Sequence, residues 1–366
     1  MALDVTPSRP RVLALATKGA GSNEEDRLRA LLSAFDPQFF AFERSSKRKQ
    51  FTRLLKQLLR EKPQLAVMEG TGLAGGVAMI LARLIGGVPY VVSSGDAVGP
   101  FIGSKLPVLG PVFGLYERIL YRFAAGFIGW TPYLVGRALT FGCPRAITCA
   151  GFAPLPLAAW RGNQQIRTDL GVPQDAVVFG IVGSLAWNRR KKYCYGLELV
   201  QAVRRTTRAD LCVVVIGDGN GLSHLHDAAG DDARVILPGP VPADRVVETM
   251  RAFDVASLPQ SCDGVGSFRY TTKISEYLAA GLPMVTGQIP LAYDFDTGWI
   301  WRLPGDAPWE DRYVAALAAL MNNLTPADLA AKRGAVPASL AEFDRDAQVA
   351  RATAFVRDIL HAKGRP

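Results

Sequence analysis

The chain has 366 residues, 49% of them hydrophobic and 20% charged. That length exceeds one ordinary core and predicts two domains of globular composition. The net charge of +9 lies wholly in residues 1–150, which hold 19 Lys+Arg against 10 Asp+Glu, while the rest is neutral; such asymmetry points to a polyanionic surface, membrane or nucleic acid, as a partner. Five Cys show neither metal-ligand nor disulfide-framework spacing and read as reduced thiols of a cytosolic protein. Only three His occur, and His224 and His226 lack the neighbours a zinc site requires.

In chain order, short apolar runs alternate with helical patterns. RVLALA (11–16) predicts a strand, followed by a Gly-rich turn (17–23) and a helix. FFAFE (39–43), QLAVME (64–69) and PYVVSS (89–94) predict further strands, separated by helices over 47–62 and 71–85. A Pro/Gly-rich loop to about Pro111 precedes a helix through YERILYRF, a strand-like GFIGW, a helix from Pro132 and ITCAG (147–151). Pro and Gly punctuate 151–175, most densely at FAPLPL, and predict an interdomain linker. The alternation then restarts. AVVFGIVGS (176–184), LCVVVIGDG (211–219), RVILPGPV (234–241), VASLPQS and PMVTG read as strands. LELVQAVRRT, 243–252 and 272–281 read as helices, and the amphipathic tail closes the chain. Strand–helix alternation at this spacing predicts parallel sheets covered on both faces, with ligands outside the strands' carboxyl ends. The start of the chain lacks the pattern of a signal peptide, and Gly70–Val92, interrupted by Arg83 and by glycines, reads better as helix and strand than as a membrane span.

TTKISEYLAAGLP (271–283) carries the most chemistry. Lys273 and Glu276 open a helix that ends before a short apolar strand. Free N–H groups and the helix dipole favour an anion there, so Lys273 suits a diphosphate, and Glu276, one turn on, suits ribose hydroxyls.

With VFGIVGS (178–184), VVVIGDG (213–219), VILPGPVP (235–242) and FDVASLPQS (253–261), this stretch resembles the nucleotide-sugar-binding domain of retaining GT-B glycosyltransferases of family GT4, the glycosyl transferases group 1. The likeness implies a GT-B fold: α/β, with two Rossmann-like domains facing a deep cleft. The boundaries are 1–155 for an acceptor- and membrane-facing domain and 156–340 for a nucleotide-sugar domain. A C-terminal helix over 341–366 is placed to cross back to the first domain.

The family meets the leaving diphosphate with positive charge. Here Gly183-Ser184 stands where relatives often have Gly-Arg, so Arg189, Arg190, Lys191 or Lys192 must do that work. Arg190 is the first choice as a catalytic cation and Lys192 the second. Asp218, Pro240, Asp263, Gly266, Ser267, Thr272, Lys273 and Glu276 complete the implied donor site. Phe268 occupies the place of the first Glu of the family's Glu-x7-Glu pair. In the first half, Gly19, Ala20, Gly21 and Glu69 are the implied acceptor or phosphate loop, and Asp96 the group that bonds or orients the acceptor hydroxyl. No His precedes residue 224, which favours retention, with the leaving phosphate taking the acceptor proton; Asp96 or Glu69 as base keeps inversion open.

Phe51, Leu54, Leu55, Leu58 and Leu59 form one helical stripe, surrounded by seven cations from Lys47 to Lys62. Beyond packing on the sheet, this helix is expected to meet anionic lipid, aided by residues 101–123. Nucleic acid is not expected, since no recognition motif appears. The reading is a glycosyltransferase moving a sugar from a nucleoside diphosphate-sugar to a glycan or polyprenol-linked acceptor. It would act as a peripheral protein on the cytoplasmic membrane face, without metal or other cofactor, in surface polysaccharide or glycolipid synthesis. A non-catalytic nucleotide-sugar-binding partner and a GT-B epimerase stay open.

Overall fold

The computed structural model describes residues 10–152, 164–339 and 341–362. The densest part of the expected linker, and the boundary at 155/156, lie outside the described residues. The chain divides into two units. The first holds the chain up to Gly151, Phe268–Tyr270 and the segment from Glu342; the second holds Phe152–Ser267 and Thr271–Ala341.

Each unit is built on a six-stranded, wholly parallel sheet. In the first, β1 (Val12–Ala16), β2 (Gln38–Phe39), β3 (Leu65–Glu69), β4 (Tyr90–Ser94), β5 (Gly126–Gly129) and β6 (Ala146–Thr148) are ordered β2-β1-β3-β4-β5-β6. In the second, β7 (Val177–Val182), β8 (Leu211–Ile216), β9 (Val235–Gly239), β10 (Val255–Leu258), β11 (Met284–Thr286) and β12 (Ile300–Arg302) are ordered β12-β11-β10-β7-β8-β9. Strands β1, β3, β4 and β8 are buried along their whole length, as their unbroken apolar runs require of parallel strands covered on both faces. The order reverses between β1 and β3 in one sheet and between β7 and β10 in the other. At such switch points adjacent connections leave in opposite directions and open a crevice at the carboxyl edge.

The helix Lys47–Glu61 buries Leu54 and Leu58 and keeps Lys47, Arg48, Lys49, Arg53, Lys56 and Arg60 exposed. The expected strand over 39–43 shrinks to Gln38–Phe39, because only Leu13 and Ala14 of β1 pair with it in register. The expected loop to Pro111 instead contains the helix Val98–Lys105 and a 3-10 turn Pro107–Leu109, which lead into the helix Gly110–Arg122. Its glycines are packing residues: a β-carbon on Gly99 would lie 2.9 Å from Gly114 Cα, so the two helices meet backbone to backbone.

The last helix, Arg345–Ala362, belongs to the first unit. Phe355 and Ile359 cover Gly126 of β5, and the buried Gln348 accepts a hydrogen bond from the Ala150 amide (3.2 Å). Among the described residues, no helix is long and apolar enough to cross a membrane.

Candidate functional site

In the second unit, the loops after β7 and β8 touch through backbone. A β-carbon on Gly217 would stand 1.8 Å from the Gly183 carbonyl oxygen, which explains the first glycine of IGDG. Beyond this contact, Ser184, Asp218 and Pro240 are exposed at the carboxyl edge. The Asp218 carboxylate accepts from the Gly219 amide (2.7 Å).

The helix Thr272–Ala279 starts beside the switch point. Its cap is Thr271, whose hydroxyl accepts from the Lys273 amide; Thr272 is the first helical position and is exposed. Lys273 lies across the end of β7. A β-carbon on Gly183 would meet its Nζ at 3.0 Å, and Nζ sits 5.0 Å from the Tyr195 ring centroid. The Glu276 carboxylate is half-buried and, among the described residues, has no ion pair or hydrogen bond. The arrangement places a cation by the strand end and an unspent acceptor one turn behind it.

The basic run forms a tight loop. Asn188 and Tyr193 exchange backbone hydrogen bonds (2.8 and 3.3 Å), and the Asn188 side chain accepts from the amides of Arg190 and Lys191. Arg189, Arg190 and Lys192 are exposed, whereas Lys191 folds back: its Nζ is 3.3 Å from an Asp263 oxygen and 3.8 Å from the Trp309 ring centroid. Lys191 is thus joined to the loop of Asp263, while the two cations the sequence puts first, Arg190 and Lys192, lie at exposed positions.

Asp263 accepts from the Val265 and Gly266 amides (2.9 Å each). Burial alone would raise its carboxyl, but these amides, the Ser261 hydroxyl and Lys191 hold it below the usual carboxylate range. The Ser267 amide donates to the Asp263 carbonyl. The amides of 265–267 are thus spent within the loop and are not available to a phosphate.

Beneath the loop lies a residue that no motif marks. The Glu198 carboxylate is fully buried and accepts from the Tyr193 hydroxyl (2.8 Å), the Gly196 amide (3.0 Å) and the Ser257 hydroxyl (3.0 Å). Burial pushes it up to about 7 against these bonds.

In the first unit, the candidate acceptor loop also spends its own amides. Gly19 donates to Ala16, Ala20 to Phe42, and Gly21 to the Glu25 carboxylate. Glu69, expected to face the site beside Asp96, is buried instead. Its oxygens accept from Arg27 Nη1 (2.9 Å) and Trp130 Nε1 (3.0 Å), and burial raises its carboxyl despite Arg27. It braces β3 against a helix and the loop after β5. Asp96 remains half-exposed and accepts from Arg269 Nε (2.7 Å). Arg269 is flanked by Phe268, which packs against the first unit's core and whose carbonyl accepts from Thr131 (3.0 Å). The position of the family's first Glu is thus occupied by a packing residue. Among the described residues, no group of three or more His, Cys, Asp or Glu is clustered to hold a metal.

Residues 176–323 match the sequence profile of the family described as Glycosyl transferases group 1. No curated protein sequence matches this chain. HepE of Anabaena, solved in complex with UDP and glucose, is similar with a TM-score of 0.67 at 16% identity, over 95% of this chain and 100% of its own. Sucrose-phosphate synthase from Thermosynechococcus elongatus gives 0.70 at 13% identity, over 96% and 100%. The lipopolysaccharide outer core galactosyltransferase WaaB gives 0.63 at 12% identity, over 96% and 99%. At these identities the structures show a shared fold. Residues 176–323 thus form a glycosyl transferases group 1 domain, within a chain that shares the GT-B fold of these structures.

Proposed function

We propose that the chain transfers a sugar from a UDP-sugar to a polyprenol- or glycan-linked acceptor at the cytoplasmic face of a membrane, with retention of anomeric configuration, in the synthesis of a surface polysaccharide or glycolipid. The observation that carries the donor half is Lys273 lying across Gly183 at the β7–β10 switch point, with the unspent Glu276 carboxylate one turn behind. The ammonium meets the diphosphate and the carboxylate takes two ribose hydroxyls. UDP is favoured as the carrier because HepE, of the same fold, was solved with it.

The chemistry follows from charge. As the glycosidic C–O bond breaks, the diphosphate gains negative charge that Lys273 and the basic loop around Lys191 offset. With no His before residue 224 and Asp96 held by Arg269, the departing phosphate oxygen is the better acceptor for the acceptor's hydroxyl proton. That arrangement favours same-face attack and retention. The exposed cations of Lys47–Lys62 favour an anionic lipid surface, each worth roughly 1 kcal/mol near it.

Calorimetry over UDP-, GDP- and ADP-sugars tests the proposal. UDP-sugar binding that Lys273→Ala and Glu276→Ala both weaken is expected. Failure to bind any of them, or binding indifferent to both changes, rejects the donor half. Binding without turnover over a panel of lipid-linked acceptors would favour the non-catalytic reading that Phe268 raises.

A further inference from the structure

The carboxyl edge of the first sheet holds a cavity of about 390 Å³ at the β1–β3 switch point. One end is polar: Lys18, Glu24, Lys47 and Asp96 reach it. The other is apolar, walled by Phe101, Ile102 and Phe113.

The polar end holds two lysines and two carboxylates, and Asp96 is already met by Arg269. Lys18 Nζ pairs with Glu24 Oε1 at 2.5 Å, whereas Lys47 is exposed and, among the described residues, has no ion pair. Glu24 Oε2 is shielded from solvent with no hydrogen-bond partner among the described residues. The backbone amides of the neighbouring Gly-rich turn are spent, so an anion here is met by ammonium groups.

The apolar wall leads outward along the hairpin Val98–Lys105, Pro107–Leu109 and Gly110–Arg122. Gly99 against Gly114 and Gly103 against Gly110 leave no room for side chains between its helices, so the apolar groups are turned outward. On one side they wall the cavity. At the tip Leu106, Val108, Val112 and Leu115 are 57%, 86%, 60% and 60% exposed. Four large aliphatic groups within ten residues make a patch of the kind that marks an interaction site. Cations border it: Lys105 Nζ lies 4.2 Å from the Phe101 centroid, and Arg118 and Arg122 follow on the second helix. An apolar tip with a cationic border suits an anionic lipid surface.

We propose that this cavity binds a phosphate- or diphosphate-linked long-chain lipid. Lys18 and Lys47 take the phosphate, and the chain leaves over Phe101, Ile102 and Phe113 toward a hairpin tip immersed in the bilayer. This rests on the lipid-linked acceptor reading above and names the acceptor's phosphate and its path. A soluble glycan would use neither the apolar wall nor the exposed tip.

The test is retention of the full chain on phosphatidylcholine vesicles carrying decaprenyl phosphate, decaprenol or neither, with UDP affinity measured separately by calorimetry. Charge-assisted contacts predict at least ~10-fold tighter retention on the phosphate vesicles than on the alcohol vesicles. The double variant Lys18→Ala/Lys47→Ala should lose that preference while unfolding at the same temperature. Val108→Asp/Val112→Asp, at solvent-exposed positions, should weaken retention on every vesicle and leave UDP affinity unchanged. Equal retention on phosphate and alcohol, or an undiminished preference in the double lysine variant, overturns the proposal. Lost UDP binding with the phosphate preference intact overturns the donor reading and leaves this one standing.

Discussion

Lys273 lays its ammonium across Gly183, so that a single added carbon at 183 would approach Nζ to 3.0 Å. The glycine and the lysine, ninety positions apart, thus form one element. Gly183→Ala makes the end of Lys273 give by a few tenths of an ångström without removing its charge. Hydrogen bonds to charged groups are worth about 1.5–3 kcal/mol, which predicts roughly a 10- to 100-fold loss of UDP affinity for Lys273→Ala. A smaller loss is expected for Gly183→Ala, with normal folding in both. Titration calorimetry reads both variants, and a Lys273→Ala protein that binds like the parent would mean that Lys273 does not act from this position.

The basic loop separates into Lys191 and its neighbours. Lys191 contacts Asp263 and Trp309, whereas Arg189 and Lys192 stand in solvent. Lys191→Ala should release the 263–267 loop and lower turnover at least ~10-fold, as removal of a placed charge does. Lys192→Ala should cost no more than about threefold, in keeping with an exposed charge. Steady-state rates for the two variants give the ranking, and the reverse order would restore the sequence preference.

Glu198 links stability to pH. Its carboxyl is raised to about 7 from 4.5, so the native protein keeps a proton that the unfolded chain releases from about pH 4.5 upward. The group's contribution is complete below pH 4.5 and is lost as pH climbs toward 7. One pKa unit is worth about 1.4 kcal/mol, so the loss across that window is roughly 3 kcal/mol. Glu198→Gln stays neutral throughout. Urea unfolding of both proteins from pH 4.5 to 7.5 should show the parent's stability falling relative to the variant's; parallel curves would remove Glu198 as the cause.

Glu69 and Asp96 are expected to part company on substitution. Glu69→Ala leaves Arg27 buried without its anion, and breaking such a pair costs about 3–5 kcal/mol. Asp96→Asn, half-exposed, should unfold within about 0.5 kcal/mol of the parent. A stable Glu69→Ala protein with altered acceptor kinetics would return Glu69 to the site.

Much of the fold was legible because parallel strands advertise themselves as apolar runs. RVLALA, QLAVME and LCVVVIGDG each became a fully buried strand. The hairpin 98–122 was not, since its glycines read as loop punctuation; their role appears only when Gly99 meets Gly114. The site followed the same divide. Lys273 beside the Gly183 turn was readable because a helix start and a Gly-rich strand end have local signatures. Lys191's turn toward Asp263, the burial of Glu69 beneath Trp130, and Glu198's three donors depend on partners far along the chain. Asp96's hold on Arg269 spans 173 positions and has no local sign.

The first unit is made of three separate stretches, and its final piece, Arg345–Ala362, seals Gly126 beneath Phe355 and Ile359. During vectorial synthesis the ribosome delivers that seal only after the whole of the second unit. The first unit, although begun before the second, is therefore finished after it, and until then the flank of β5 at Gly126 stays uncovered.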